Sequence, residues 1–371
     1  MDSGINIGRV FNIQFRVHYS WVFIFALITV FLVWQVFPYA VPGETRSTHW
    51  IMSIVTSLLF FLSILVHETA HSLIGRANGI PVRSITLYLF GGAAQMDREP
   101  ASPGAEIKMA IAGPLASFLL AALFWIVYDF YISQVLAIAA VALWLAQINL
   151  IVAVFNLLPG FPLDGGRVLR GIWWHVRDDY PGATRGAILF GRIVGVLVGV
   201  SGLYFVIVHR DWLAGIWLVL LGWYLESTAR TSLKQFELQI WLKKHTVADV
   251  IRRDCPRISR DTSLKYLHDK YPDRHCFVIP EIGEITGIVW FEAKDATLPE
   301  TTVADLVIPL DQTIAVETGD NLLEVVQRMN ETGSDIAVAG GQSDPVGFVF
   351  LDDLVNLVNR HADNQGAGDA T

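Results

Sequence analysis

Residues 47–71 read STHWIMSIVTSLLFFLSILVHETAH, an uncharged apolar run that ends in two histidines with a glutamate between them. The run before the first histidine has about the 20 residues that a helix needs to cross a bilayer. Histidines four residues apart share one face of a helix, so His67 and His71 can bind one metal ion, and Glu68 can accept a proton from water beside it. Ionisable groups are costly at membrane depth and are kept there for function. The stretch therefore predicts a metal site inside a transmembrane helix.

Composition divides the 371-residue chain into two parts. The whole chain is 53% hydrophobic and only 17% charged. Residues 1–244 carry 17 basic and 13 acidic side chains, whereas residues 245–371 carry 10 and 22. This contrast predicts an apolar membrane domain followed by an acidic soluble domain, and an acidic domain is a poor attractor of nucleic acid. Cys255 and Cys276 lack CxxC spacing, so neither a disulfide framework nor a thiolate metal site is expected.

Apolar segments predict about six membrane spans, the first of them a retained span rather than a signal peptide. In chain order the segments cover residues 18–40, 49–74, 107–128, 131–157, 188–209 and 211–229. With the N-terminus inside, Arg46 and Arg210 are the only basic residues of the predicted outside loops. The positive-inside rule therefore predicts a multi-pass protein of the cytoplasmic membrane, with the N-terminus and the acidic domain in the cytoplasm.

A proline- and glycine-rich break follows the longest uncharged run. Residues 130–163 contain no charge and are interrupted by Pro159, Gly160 and Pro162 just before Asp164. Irregular backbone at membrane depth is tolerated only where it lines a protein cavity or water. A catalytic zinc has three protein ligands and one water, and Asp164 is the best-placed third ligand. The alternative is that Asp164 caps the helix that begins near Gly165.

Two motifs together resemble a known family. HETAH at residues 67–71, followed by NLLPGFPLDG at residues 156–165, resembles the site-2 protease family of intramembrane zinc metallopeptidases, in its prokaryotic branch with CBS domains. The resemblance extends over nearly the whole chain and includes GPLAS at residues 113–117, a Gly-x-x-x-small motif. HExxH alone is weakly specific, but both motifs in this order within the membrane part are strongly specific.

The resemblance implies a role for each matched residue. One Zn²⁺ per chain would be held by His67, His71 and Asp164. Glu68 would be the general base, and Asn156 would help to hold the substrate. The substrate implied is a single-span membrane protein, of the anti-sigma-factor or membrane-tethered-regulator type, that is cut within its span.

Residues 82–92 alternate apolar and polar side chains, which predicts a β-strand. A transmembrane helix must be unwound before its amides can be hydrolysed, and an edge strand can pair with the freed backbone. We therefore expect this strand to bind substrate, with Thr86 and Leu87 as pairing residues. Alternatively, the strand only caps the membrane domain.

The acidic domain contains an internal repeat. TVADV at residues 246–250 recurs as TVADL at residues 302–306, and each copy continues into a helix-like run and strand-like segments. The two copies, about 246–297 and 302–360, look like a tandem CBS domain of α+β fold. The predicted fold is thus a polytopic α-helical membrane domain (1–231) with a small membrane-associated β element, a helical linker (232–245), a cytoplasmic CBS pair (246–360) and a disordered tail (361–371).

CBS pairs in many proteins bind adenosine nucleotides, but this chain departs from that pattern. Trp290 and Phe350 replace the Thr or Ser that usually faces the phosphate or ribose. Ala293 replaces the ribose-binding aspartate in the first copy, and Asp353 is present only in the second. Nucleotide binding, homodimerisation through the CBS domains and substrate docking all remain open as roles of this domain.

Two other functions are compatible with these patterns. A CBS-regulated ion channel or transporter could use the intramembrane ionisable residues as an ion path. A catalytically silent zinc-binding scaffold could retain a substrate without cutting it. Glu68 separates the scaffold from the protease, because only hydrolysis needs a general base.

Overall fold

The structure is a computed structural model that describes residues 4–88, 91–96, 100–272, 274–281, 284–290, 302–340 and 345–354. Ala293 and the predicted disordered tail, 361–371, lie outside these residues. The chain forms two compact units, residues 1–233 and 234–371.

The first unit consists of long helices and one small sheet. In chain order its elements are β1 (Gly4–Val10), β2 (Ile13–His18), α1 (Ser20–Ala40), α2 (Arg46–Ala77), β3 (Val82–Tyr88), β4 (Gly91–Met96), α3 (Pro103–Tyr131), α4 (Leu136–Asn156), α5 (Asp164–Arg177), α6 (Tyr180–His209) and α7 (Trp212–Lys244). Residues of α7 from Lys234 onward belong to the second unit.

Five described helices are long and apolar enough to cross a membrane, namely α1, α2, α3, α4 and α6. Large apolar side chains on them face outward, as at Leu119 and Ile207, which are 64% and 73% exposed. Helices whose apolar residues face both the interior and the outside are typical of a membrane domain. The sixth predicted span, 211–229, is the first half of α7, which is not among these five helices.

The four strands of the first unit form one sheet in the order β1-β2-β3-β4. β3 is present as predicted, but it is not an edge strand, because β2 pairs with it in parallel and β4 pairs with it antiparallel. Thr86 is paired with Arg16 and Ala93, and Leu87 with Val17 and Gly92. The prediction that Thr86 and Leu87 bind substrate from an edge strand is therefore wrong. Among the described residues, the outer strands of this sheet are β1 and β4.

The second unit repeats one structural pattern twice. The first copy has a helical turn (Val247–Val250), α8 (Leu264–Lys270), β5 (Cys276–Glu281) and β6 (Glu284–Trp290). The second copy has a turn (Val303–Leu306), then β7 (Ile308–Pro309), β8 (Ile314–Val316), α9 (Leu322–Thr332), β9 (Ile336–Gly340) and β10 (Pro345–Phe350).

The strands of the second unit form two three-stranded sheets, ordered β5-β6-β7 and β10-β9-β8. Each helical turn starts with a threonine and an aspartate three residues later that cap each other's backbone, Thr246 with Asp249 and Thr302 with Asp305. The sequence repeat is thus a structural repeat, and the second unit has the fold predicted for a CBS pair.

Cys255 and Cys276 form a disulfide, with their Cα atoms 5.1 Å apart. The expectation of no disulfide is therefore wrong. Spacing along the chain does not reveal that two backbone hydrogen bonds, Ile258 N to Val278 O (2.9 Å) and Val278 N to Pro256 O (3.0 Å), hold the segment around Cys255 beside β5.

Candidate metal centre

His67 and His71 lie on one face of α2, near its C-terminal end. Their Nε2 atoms are 3.1 Å apart. Both residues are buried, at 4% and 5% exposure, so their imidazoles face the interior of the first unit rather than its outer surface. The two imidazole nitrogens are therefore neighbours, as the helical spacing predicts.

Asp164 joins this pair from the other side. Its Oδ2 atom is 3.2 Å from Nε2 of His67 and 3.2 Å from Nε2 of His71. Asp164 is the first residue of α5, whose N-cap is Leu163. The alternative that Asp164 is the N-cap is therefore wrong, and its carboxylate faces the histidines.

The three atoms form a nearly equilateral triangle that fits a zinc ion. Tetrahedral zinc with bonds of about 2.0–2.1 Å separates its ligand atoms by about 3.3 Å. The three described distances are 3.1, 3.2 and 3.2 Å. Two imidazoles and one carboxylate are also a usual donor set of catalytic zinc, which keeps a fourth position open.

The loop before Asp164 is fixed by close backbone packing. A side chain at Gly166 would place its Cβ 2.3 Å from the carbonyl carbon of Gly160, and one at Gly191 would place its Cβ 1.8 Å from the Phe161 oxygen. Phe161 N also donates to Ala187 O at 3.2 Å. The loop thus lies directly against the first turn of α5 and against α6, which sets the position of Asp164.

Helix α3 orients both histidines through their other ring nitrogen. Nδ1 of His67 is 2.9 Å from Oγ of Ser117, and Nδ1 of His71 is 2.7 Å from the carbonyl oxygen of Met109. A carbonyl only accepts, so Nδ1 of His71 carries the proton and its Nε2 keeps a lone pair for a metal. In the sequence, Ser117 is recognisable only as a small residue of the GPLAS motif, and nothing in the sequence singles out a backbone carbonyl at Met109.

Two glycines bring backbone directly against the site. A Cβ at Gly113 of α3 would lie 2.1 Å from Nε2 of His71 and 2.6 Å from Nε2 of His67. A Cβ at Gly92 of β4 would lie 2.4 Å from Cγ of Glu68. The half-buried Glu68 side chain is therefore adjacent to the backbone of the outer strand β4.

Asn156 is the last residue of α4 and immediately precedes the loop that leads to Asp164. Its side chain is half-buried. Its role in holding substrate stays a prediction.

The residues considered for nucleotide binding are engaged with one another. The rings of Trp290 and Phe350 are 4.4 Å apart, and the Arg252 guanidinium lies 5.2 Å from the Trp290 ring. Arg252 Nη2 donates to Asp353 Oδ1 at 2.7 Å. The aspartate expected at a ribose is thus paired with an arginine of the same unit.

Comparison with known proteins places the chain among metallopeptidases. Residues 55–140 and 131–200 match Peptidase family M50. A Synechocystis protein named "Putative zinc metalloprotease sll0528" is 30% identical over 378 residues, which cover 98% of this chain and 97% of that protein. "Putative zinc metalloprotease Rip3" of Mycobacterium tuberculosis is 30% identical over 382 residues, covering 97% and 94%.

Among solved structures, the site-2 protease of Methanocaldococcus jannaschii is similar, with 26% identity and a TM-score of 0.42. It covers 62% of this chain and 94% of its own. Because the similarity to the curated relatives extends over nearly the full length of both chains, the chain belongs to peptidase family M50, the site-2 protease family of membrane zinc metalloproteases.

Proposed function

We propose that this protein hydrolyses peptide bonds within the transmembrane segments of single-span membrane proteins, at one Zn²⁺ held by His67, His71 and Asp164. The observation that carries the proposal is the triangle of donor atoms, with sides of 3.1–3.2 Å, at the end of a helix long enough to span a membrane. Glu68 follows His67 in the sequence, and its carboxylate is not one of the three donors.

The zinc ion, Glu68 and the residues that hold the imidazoles have different roles in the proposed hydrolysis. When bound, Zn²⁺ supplies Lewis acidity, which polarises a carbonyl and brings the pKa of water to about 7. Glu68 accepts the proton of the attacking water and then donates it to the leaving amine. Ser117 and Met109 hold the two imidazoles in orientation through hydrogen bonds of 2.9 and 2.7 Å.

The outer strand β4 is the better candidate for substrate pairing than β3. β4 is paired on one side with β3, and its Gly92 touches Glu68. An unwound substrate segment that adds to the other side of β4 would satisfy its backbone groups and lie next to the general base. Asn156, at the start of the Asp164 loop, is proposed to help hold that segment.

The proposed setting is the cytoplasmic membrane, with the N-terminus and the CBS pair in the cytoplasm. The proposed substrates are anti-sigma factors or membrane-tethered regulators. We further propose that the CBS pair regulates cleavage and favours homodimerisation. The Arg252–Asp353 pair argues against adenosine nucleotide binding, because Asp353 already has a cationic partner.

The experiment is cleavage of tagged single-span proteins by the purified zinc-loaded chain in liposomes. Wild type should cut within the span, a zinc chelator should abolish the cut, and Glu68→Gln should bind zinc but not cut. Glu44→Gln, at an exposed loop position, is the matched control and should cut like wild type. Equal cleavage by the Glu68→Gln protein would refute the assigned general base. Zinc binding without cleavage by wild type would favour the silent scaffold.

A further inference from the structure

A buried ion pair lies beside the metal centre and has no part in the chemistry above. Nε of Arg170, on α5, donates to Oε1 of Glu106, in the first turn of α3, at 2.6 Å. Glu106 is 0% exposed and Arg170 is 7% exposed. Burying two charges is costly even when they are paired, and neutral side chains often replace such pairs without loss of stability. Their presence therefore needs a reason beyond folding.

Arg170 also contacts the loop that leads to Asp164. Its guanidinium carbon is 4.9 Å from the ring of Phe161 in that loop and 5.0 Å from the ring of Tyr180 at the start of α6. Cations are attracted to aromatic faces at this distance. Through its ion pair and these ring contacts, Arg170 therefore connects α5 with three other parts of the chain, the first turn of α3, the loop and α6.

The same helix, α3, orients the histidines. Glu106, Met109, Gly113 and Ser117 follow one another at intervals of three or four residues, so they lie along one side of α3. Met109 and Ser117 contact the histidines, while Glu106 contacts α5. The packing of α5 on α3 is tight here, since a Cβ at Gly171 would lie 2.6 Å from Cγ1 of Ile107.

We propose that Glu106 and Arg170 are positioning residues that fix Asp164 at ligand distance from the histidine pair. Helix α3 then sets the positions of all three ligands, because it holds the imidazoles by two hydrogen bonds and holds α5, which carries Asp164, by the ion pair. Metal sites tolerate deviations of only about 0.2 Å in ligand distance, so a small shift of α5 weakens binding. This inference rests on the proposed metal site.

The test uses Co²⁺ as a probe of the full chain in detergent, because its visible spectrum reports ligand geometry without substrate or turnover. Glu106→Gln should weaken Co²⁺ binding about 10- to 100-fold, the range for residues that orient metal ligands, and should alter the spectrum. Glu226→Gln is the matched control. It breaks the ion pairs of Glu226 with Arg192 (3.2 Å), between α6 and α7, and with Arg230 (2.9 Å), within α7. It should leave both readouts unchanged.

A double variant separates positioning from folding. Glu106→Gln with Arg170→Met removes both charges of the pair, so neither Glu106 nor Arg170 is left as a buried ion without the other. The proposal expects wild-type thermal unfolding of this variant but weak Co²⁺ binding and an altered spectrum. Wild-type binding and spectrum in the folded double variant would overturn it. Arg170→Lys, which keeps the charge but not the two-pronged guanidinium, is judged by the same criterion if the double variant does not fold.

If His67, His71 and Asp164 did not form a metal site, the Co²⁺ binding results would be different. In that case wild type would bind no Co²⁺, or His67→Ala would bind it as well as wild type does. Weak binding confined to the Glu106 and Arg170 variants, with loss of binding in His67→Ala, supports both the site and the positioning role.

Discussion

Gly113 is the residue at which the metal centre has the least room. A methyl group there would lie 2.1 Å from Nε2 of His71, far inside van der Waals contact, and at the place where the lone pairs of the histidines converge. We therefore expect Gly113→Ala to lower zinc affinity by at least about 100-fold, the upper end of the effect seen when ligand orientation is disturbed. Zinc content after dialysis against a chelator measures it.

Gly104→Ala is the control for that prediction. Gly104 lies in the same helix, and a Cβ there would meet no atom within 4 Å. It should keep wild-type zinc content. Normal zinc binding by Gly113→Ala would show that the site is more open than described.

Gly92 allows a second residue-scale prediction, which concerns activity rather than metal. A Cβ at Gly92 would lie 2.4 Å from Cγ of Glu68, so Gly92→Ala must displace the carboxylate. Because Glu68 is not one of the three donors, zinc should stay bound while the cleavage rate falls about 100-fold or more, as expected for loss of a general base. Loss of zinc from this variant would contradict the separation of the two roles.

The sequence indicated the three candidate ligands, but not the residues that hold them in position. Helical periodicity is enough to put His67 and His71 on one face, and a proline-rich break before a lone carboxylate is enough to propose Asp164. The residues that hold these ligands depend on how helices pack. Arg170 lies 64 positions after Glu106, and no local pattern relates two charges that far apart.

Among the strands of the first unit, β4 and not β3 has a side on which an unwound substrate segment could pair, because β3 is already paired on both sides. Alternation of side chains identifies a strand but does not reveal its neighbours, and residues 4–18 gave no visible signal for the hairpin that covers β3. The same reason explains the missed disulfide, since strand neighbours, not chain spacing, bring Cys255 to Cys276.

Proline substitutions along β4 test its outer side. In an outer strand, successive N–H groups point alternately to the paired strand and away from it. Proline at successive positions from Ala93 to Met96 should therefore give effects that alternate from one residue to the next. Positions that point away should lose cleavage and keep zinc, while the intervening positions should lower thermal stability.

Each outcome of this series can be recognised. Zinc content and unfolding temperature, measured beside cleavage of one substrate, separate the two classes of position. Equal cleavage by all the stable variants would exclude pairing of substrate with β4.

For the whole molecule, the number of spans decides the topology. Five described helices meet the length and composition of a span, whereas the sequence predicts a sixth in the first half of α7. Six spans put both ends of the chain on one side of the membrane, and five put them on opposite sides. We expect six, because the basic residues of the loops lie on one side in that arrangement.

Reporter enzymes that are active on only one side of the membrane can test this topology. Fusions after residue 371 and before residue 1 should both report the cytoplasm. A reporter inserted at Glu44, in the loop between α1 and α2, is the control and should report the outside. An outside signal from the C-terminal fusion would mean that α7 does not cross.

The two-unit organisation was visible in the charge and in the repeat, because both are properties of composition and period rather than of packing. The structure shows the repeat as two similar sets of turn, helix and strands. The mutual engagement of Trp290, Phe350, Arg252 and Asp353 depends on contacts between the copies and could not be read from one copy alone.

The length of α2 has a consequence for the fragments that a cut would produce. Glu68 lies nine residues before the helix end at Ala77, about 13 Å along the axis, and 22 residues after its start at Arg46, about 33 Å. Glu68, the proposed general base, is therefore near one boundary of a hydrocarbon core about 30 Å thick. A substrate helix in the same bilayer would be cut close to one end of its apolar segment. One fragment would keep nearly all the apolar residues and remain in lipid, while the other would keep few of them and dissolve into the adjacent water.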